Sequence, residues 1–135
     1  MKCAEKLLLW LSFLLLLPAC TPEPNDNSQQ TLLQTAGLTL QISPATIPVE
    51  TPLLLTIKTS SDIQQVSGEV QGVSMYMGRI PLHWRKVSGT ESRLWQAEFL
   101  LGACTDPQMR WQLQLTLTKA DGSIQLLQQE FTSNW

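Results

Sequence analysis

The sequence predicts an all-β domain, an immunoglobulin-like antiparallel β-sandwich of about seven strands. Three observations predict it: apolar residues from Leu38 onward recur with a period of two, turn-forming residues punctuate the chain at strand-length intervals, and no segment carries a convincing helical period. A small barrel is the other arrangement that such a pattern allows.

Leu38, Leu40 and Ile42 alternate with Thr39 and Gln41, which predicts a strand over 38–42. Pro44 and Pro48 interrupt it, and Leu53, Leu55 and Ile57 then define a second half-buried strand. The pattern over 63–73 is weaker and contains Gly68 and Gly72, which predicts a bulged or irregular strand. Ile80, Leu82 and Trp84 follow, and Trp95, Ala97, Phe99 and Leu101 share the next apolar face. The most regular stretch is 109–118, where Trp111, Leu113, Leu115 and Leu117 point one way and Gln112, Gln114, Thr116 and Thr118 the other. Asp121-Gly122 predicts a hairpin turn into a last strand over 124–132.

The first residues follow a different logic. Lys2 and Lys6 precede an apolar stretch from Leu7 to Leu17, which closes on Leu17-Pro18-Ala19-Cys20. Basic, then apolar, then small residues make a secretion signal. Eleven positions are too few for a helix across a hydrocarbon core, which needs about 20. The tetrapeptide resembles the lipobox of bacterial lipoproteins. That resemblance implies lipidation of the Cys20 thiol and cleavage before it, so that residues 1–19 leave as a signal peptide. Two or three acyl chains then give stable attachment, whereas one gives only marginal binding. Proteins of this kind with aspartate after the cysteine stay at the inner membrane; Thr21 stands here, which implies an outer-membrane anchor facing the periplasm. Residues 20–36, rich in Pro, Asn, Ser and Gln, are expected to be a flexible tether, and residues 37–135 the sandwich domain.

Cleavage takes Lys2, Lys6 and Glu5 from nine basic and eleven acidic residues, leaving seven and ten, a net charge of about −3. With no basic cluster, nucleic acid is not an expected partner. Cys3 leaves with the signal and Cys20 goes to lipid, so Cys104 is the one remaining thiol and no internal disulfide is expected.

No enzyme template fits. His83 is the only histidine, and G-x-S-x-G, P-loop, H-E-x-x-H and Cys-x-x-Cys patterns are missing, so a non-enzymatic role is expected. What stands out is a set of soft donors: Met75 and Met77 in Met75-Tyr76-Met77-Gly78, then His83, Cys104 and Met109. Thioether, thiolate and imidazole together favour Cu(I), because a polarisable d¹⁰ ion bonds best to polarisable donors. In a strand Met75 and Met77 would share a face, and Gly78 would permit a bend beside them. A structural alternative stays open. Met109 has the parity of Trp111 and Leu113 and would extend the core, and Cys104 lies in a turn-like connection where a small thiol would serve packing.

The Pro-rich lead-in from Pro44 to Pro52, Met75-x-Met77-Gly78, the aromatic strand around Trp95 and Met109-x-Trp111 together resemble the small YtkA-like or FixH-type β-sandwich domains. The resemblance covers roughly Gly37 to Thr132. It implies an envelope location and a part in copper handling or oxidase assembly, with Met75 and Met77 in a Met-rich turn and Cys104 in the loop before the Met-x-Trp strand. Two functions are therefore expected of a membrane-anchored lipoprotein: binding or delivery of Cu(I) through Met and Cys side chains, or metal-free scaffolding of an envelope protein through a sheet edge or exposed aromatics. Of the five tryptophans, Trp10 leaves with the signal. Trp95 and Trp111 are expected in the core, Trp84 and Trp135 less constrained.

Overall fold

A computed structural model describes residues 28–60, 62–89 and 93–135. The signal segment, Cys20 and the first part of the expected tether lie outside the described residues. Among the described residues nine strands follow in order: β1 (Gln30–Thr35), β2 (Leu38–Ser43), β3 (Leu53–Thr59), β4 (Ile63–Gly72), β5 (Arg79–Pro81), β6 (Arg85–Lys86), β7 (Arg93–Phe99), β8 (Arg110–Lys119) and β9 (Ile124–Thr132). They form a five-stranded sheet, β1-β2-β3-β7-β6, and a four-stranded sheet, β5-β4-β8-β9. Every strand pair is antiparallel. The two sheets make the expected β-sandwich.

The period-two pattern sets the core. Leu38, Leu40 and Ile42 of β2, Leu53, Leu55 and Ile57 of β3, and Trp95, Ala97 and Phe99 of β7 are all buried. They face Val66 and Val70 of β4 and Trp111, Leu113, Leu115 and Leu117 of β8, equally buried on the opposing sheet. A one-residue slip would turn any of these rows to solvent, so burial fixes the register.

Two strands exceed the expected seven. The segment around Ile80 to Trp84 divides: β5 pairs with β4, β6 pairs with β7, and 82–84 crosses from one sheet to the other. Pro81 pairs with Glu69, and the Leu82 amide donates to the Gly68 carbonyl at 3.0 Å before the chain leaves β4. The other addition is β1, drawn from residues whose polar composition reads as tether. Its register shifts between Thr31 and Leu33, and this bulge lets the adjacent Leu32 and Leu33 both pack against the core.

The hairpin at Asp121-Gly122 forms as its sequence predicts, with Gly122 at φ 80°. Asp121 Oδ1 accepts hydrogen bonds from the Ser123 hydroxyl at 2.6 Å and the Ser123 amide at 2.8 Å. These bonds, the hydroxyl first, hold the carboxyl below its ordinary pKa. Because the folded value is the lower one, the stabilisation is present above the unfolded pKa and is lost as pH falls through the folded one. In Ser123→Ala, an NMR titration should find the Asp121 pKa higher than in the parent; an unchanged value would remove the Ser123 hydroxyl as the cause.

The end of the sandwich where β3 and β8 begin is tied by the last residues. Asn134 donates its amide to the Ile47 carbonyl and accepts from Val49 N–H, while its side-chain amide donates to the Thr46 carbonyl at 2.9 Å. Ile47, only 2 % exposed, sits at φ 49°, a conformation that a β-branched residue rarely adopts. Burial and the hydrogen bonds at its amide and carbonyl hold it there.

Candidate functional site

Strand direction decides which loops meet. β4, β7 and β9 end, and β3 and β8 begin, at one end of the sandwich. Loops 44–52, 73–78 and 100–109 and residues 133–135 therefore share one rim. Four of the five soft-donor candidates, Met75, Met77, Cys104 and Met109, belong to it.

Met109 forms the floor. It is 0 % exposed, and its thioether sulfur accepts a hydrogen bond from the Ser74 hydroxyl at 3.1 Å. Ser74 Oγ in turn accepts from Arg110 N–H at 3.0 Å, and Val73 N–H donates to the Arg110 carbonyl at 2.8 Å. Those bonds fasten loop 73–78 to the start of β8. Gly72 makes the approach feasible, because a Cβ there would stand 2.5 Å from Met109 Cε and collide with the Met75 carbonyl oxygen.

Loop 73–78 is irregular, so Met75 and Met77 do not share a strand face as expected. The β4 ladder with β8 ends at Gly72, and Gly78, at φ 76°, turns the chain into β5. Met75 is 41 % exposed, while Met77 is half-buried and packs against the core. The Met77 methyl lies 3.5 Å from the position a Cβ would take on Gly102, two residues before Cys104. Cys104 is half-buried, packed against the core, and its thiol donates to the Asp106 carbonyl at 3.4 Å. The packing role expected of it is thus met, with part of the side chain still open to solvent.

His83 lies elsewhere. It is exposed in the crossover between β5 and β6, beside Leu82, whose amide donates to the Gly68 carbonyl. Gly68 and Gly72 are four strand steps apart, so about 13 Å of sheet separates His83 from the methionine loop. Trp95 and Trp111 are buried as expected, Trp84 is half-buried, and Trp135 is 69 % exposed on the rim, its indole N–H 3.5 Å from the Asp106 carbonyl. Ser74, which ties Met109 to the loop, is the rim residue that sequence reasoning missed. A lone serine in a loop carries no periodic or motif signal. A shallow polar groove of about 510 Å³ at the opposite end is lined by Lys58 and Arg93 among hydroxyl and amide side chains. Among the described residues no group of three or more His, Cys, Asp or Glu side chains gathers in metal-binding range.

No family model matches the chain, and no curated protein matches it. The fold is similar to a solved structure of a DUF4426 family protein from Pseudomonas aeruginosa PAO1, with a TM-score of 0.54 and 11 % identity over 78 % of this chain and 97 % of that one. At that identity the similarity is one of fold alone.

Proposed function

We propose that the chain is a membrane-anchored, non-enzymatic lipoprotein of the bacterial envelope that binds or delivers Cu(I) at its sulfur-bearing rim. The lipobox-like Leu17-Pro18-Ala19-Cys20 supports the anchor, and Thr21 supports an outer-membrane, periplasm-facing position. The observation that carries the copper reading is the meeting of loops 73–78 and 100–109, where the Met77 methyl lies 3.5 Å from the Cβ position of Gly102, two residues before Cys104. The donor set fits the ion: two thioethers and a thiol are soft, and Met75, Met77 and Cys104 all keep solvent access. A shared site requires ligand bonds to sulfur of about 2.3 Å, so the side chains of the two loops would have to converge on one ion. Met109 supports the loop from below, and His83 stands apart from the set. The YtkA-like or FixH-type resemblance, resting on Met75-x-Met77-Gly78 and Met109-x-Trp111, points the same way.

The thiol must lose its proton to ligate, so affinity should rise with pH. In Cu(I) titrations of the processed chain against a competing chelator, Met75→Leu/Met77→Leu and Cys104→Ser should each weaken binding by at least about tenfold, the equivalent of 1.4 kcal/mol. Equal competition by parent and both variants would sink the copper reading. Cys20→Ser should block processing or release the protein from membranes.

A second reading, metal-free scaffolding of an envelope partner, is favoured by β9. This nine-residue strand is the edge of its sheet, carries Glu130 as its only charge, and exposes Ile124 and Leu126. Such an edge can accept a strand from another chain.

A further inference from the structure

Large apolar side chains are exposed unevenly over the described surface. Tyr76 at 86 %, Trp135 at 69 %, Leu100, Met75 and Val73 all lie on the rim described above; Ile124 and Leu126 of β9 are the others. The N-terminal segment joins the domain at this same rim. Gln30 is paired with Ile42 near the end of β2, and the Ala45 amide donates to Ser28 Oγ at 3.1 Å.

Chain length then restricts orientation. From Cys20 to Ser28 there are about eight residue steps, which span at most about 28 Å. β8 runs the height of the sandwich, and the nine steps between its ten residues measure about 30 Å. A lipid on Cys20 therefore cannot let the opposite end, with Lys58, Arg93 and Lys119, face the bilayer. The rim is the end within reach.

Its chemistry suits the place. Tryptophan and tyrosine favour the boundary between headgroups and acyl chains, where an apolar ring and a polar tip are both accommodated. The footing is not electrostatic: Arg79 pairs with Glu69 at 3.3 Å, Arg110 with Glu130 at 3.4 Å, and the rim loops carry Glu50 and Asp106 but no lysine.

We propose that this rim beds into the bilayer interface, with Trp135 and Tyr76 at headgroup level and Leu100 against the acyl boundary. The proposal rests on the lipidation of Cys20 put forward above.

The test uses the processed, acylated full chain in phosphatidylcholine vesicles containing acyl-brominated phosphatidylcholine. Tryptophan emission should be quenched by the bromine and shifted to shorter wavelength. Trp135→Phe should remove most of that quenching, and Leu100→Gln/Tyr76→Gln should reduce it. Adding phosphatidylglycerol should change nothing. A chain whose mass lacks the lipid and which fails to sediment with vesicles overturns the anchor reading, and this proposal with it. An acylated, vesicle-bound chain whose quenching is the same in parent and Trp135→Phe overturns the docking alone, as does quenching that requires anionic lipid. Shielding of Trp135 in envelope membranes but not in protein-free vesicles would assign the rim to a protein and likewise overturn it.

Discussion

Trp111→Ala should lower the unfolding free energy by about 3–5 kcal/mol, a large share of what a domain of this size commands. Trp111 is 0 % exposed on β8, between Met109 and Leu113 in the same inward row. Its indole N–H donates to Ser133 Oγ at 3.0 Å in a buried contact. The alanine variant removes the ring, leaves a cavity and strands the Ser133 hydroxyl. Ser133→Ala separates the two contributions: it keeps the ring and leaves only the indole N–H unpaired, at a cost of about 1–3 kcal/mol. Urea unfolding of the two variants and the parent gives both numbers. A Trp111→Ala cost no larger than that of Ser133→Ala would mean that the ring itself contributes little.

Gly72→Ala should be damaging in a second way, because it acts on the rim as well as on stability. The added methyl meets the Met75 carbonyl oxygen, which is backbone and has little room to yield, and also the Met109 methyl. Overpacking of this kind costs about 1–3 kcal/mol, and relief requires loop 73–78 to lift away from β8. Gly68→Ala is the matched control. Its Cβ would collide with the Gln114 carbonyl oxygen and come within 2.7 Å of a Leu115 methyl, yet it lies four steps from the rim. Both variants should lose stability, while only Gly72→Ala should change Cu(I) affinity. Equal affinities in the two would detach the seating of loop 73–78 from the proposed binding.

The core was legible wherever side chains obey the strict alternation of a two-sided strand. The β8 row from Trp111 to Leu117 and the β2 row from Leu38 to Ile42 are both buried on the predicted side. What escaped depended on exceptions to that period. β1 hid because Leu32 and Leu33 are neighbours, which only a bulge can turn to one core. Ile47 is buried in a Pro-flanked loop by bonds to Pro44 and Asn134, one near in sequence and one distant. At the candidate site, residue types were readable and their grouping only partly so. Parity placed Met109 in the core correctly, since it continues the row of Trp111. The separation of His83 from the methionines came from an intervening strand, β5, whose short pairing with β4 no periodic signal announces. Trp135 could be flagged as unconstrained, but its position beside the Asp106 carbonyl of loop 100–109 depends on where β9 ends.

Asn134 also governs timing. It bonds Thr46 across 88 residues, closes loop 46–49 through Ile47 and Val49, and stands next to the serine that caps Trp111. A polypeptide that emerges amino end first, whether from a ribosome or through a membrane, holds loop 46–49 and the indole N–H of Trp111 without these partners until residues 133–134 follow. Contacts between such distant segments are slow to form and leave apolar surface open in the interval. Completion of this end of the domain thus waits for residues 133–134 to arrive. A product cut short before β9 would leave β8 as an unpaired edge and the Trp111 indole N–H without Ser133, open to proteases and to other unfinished copies.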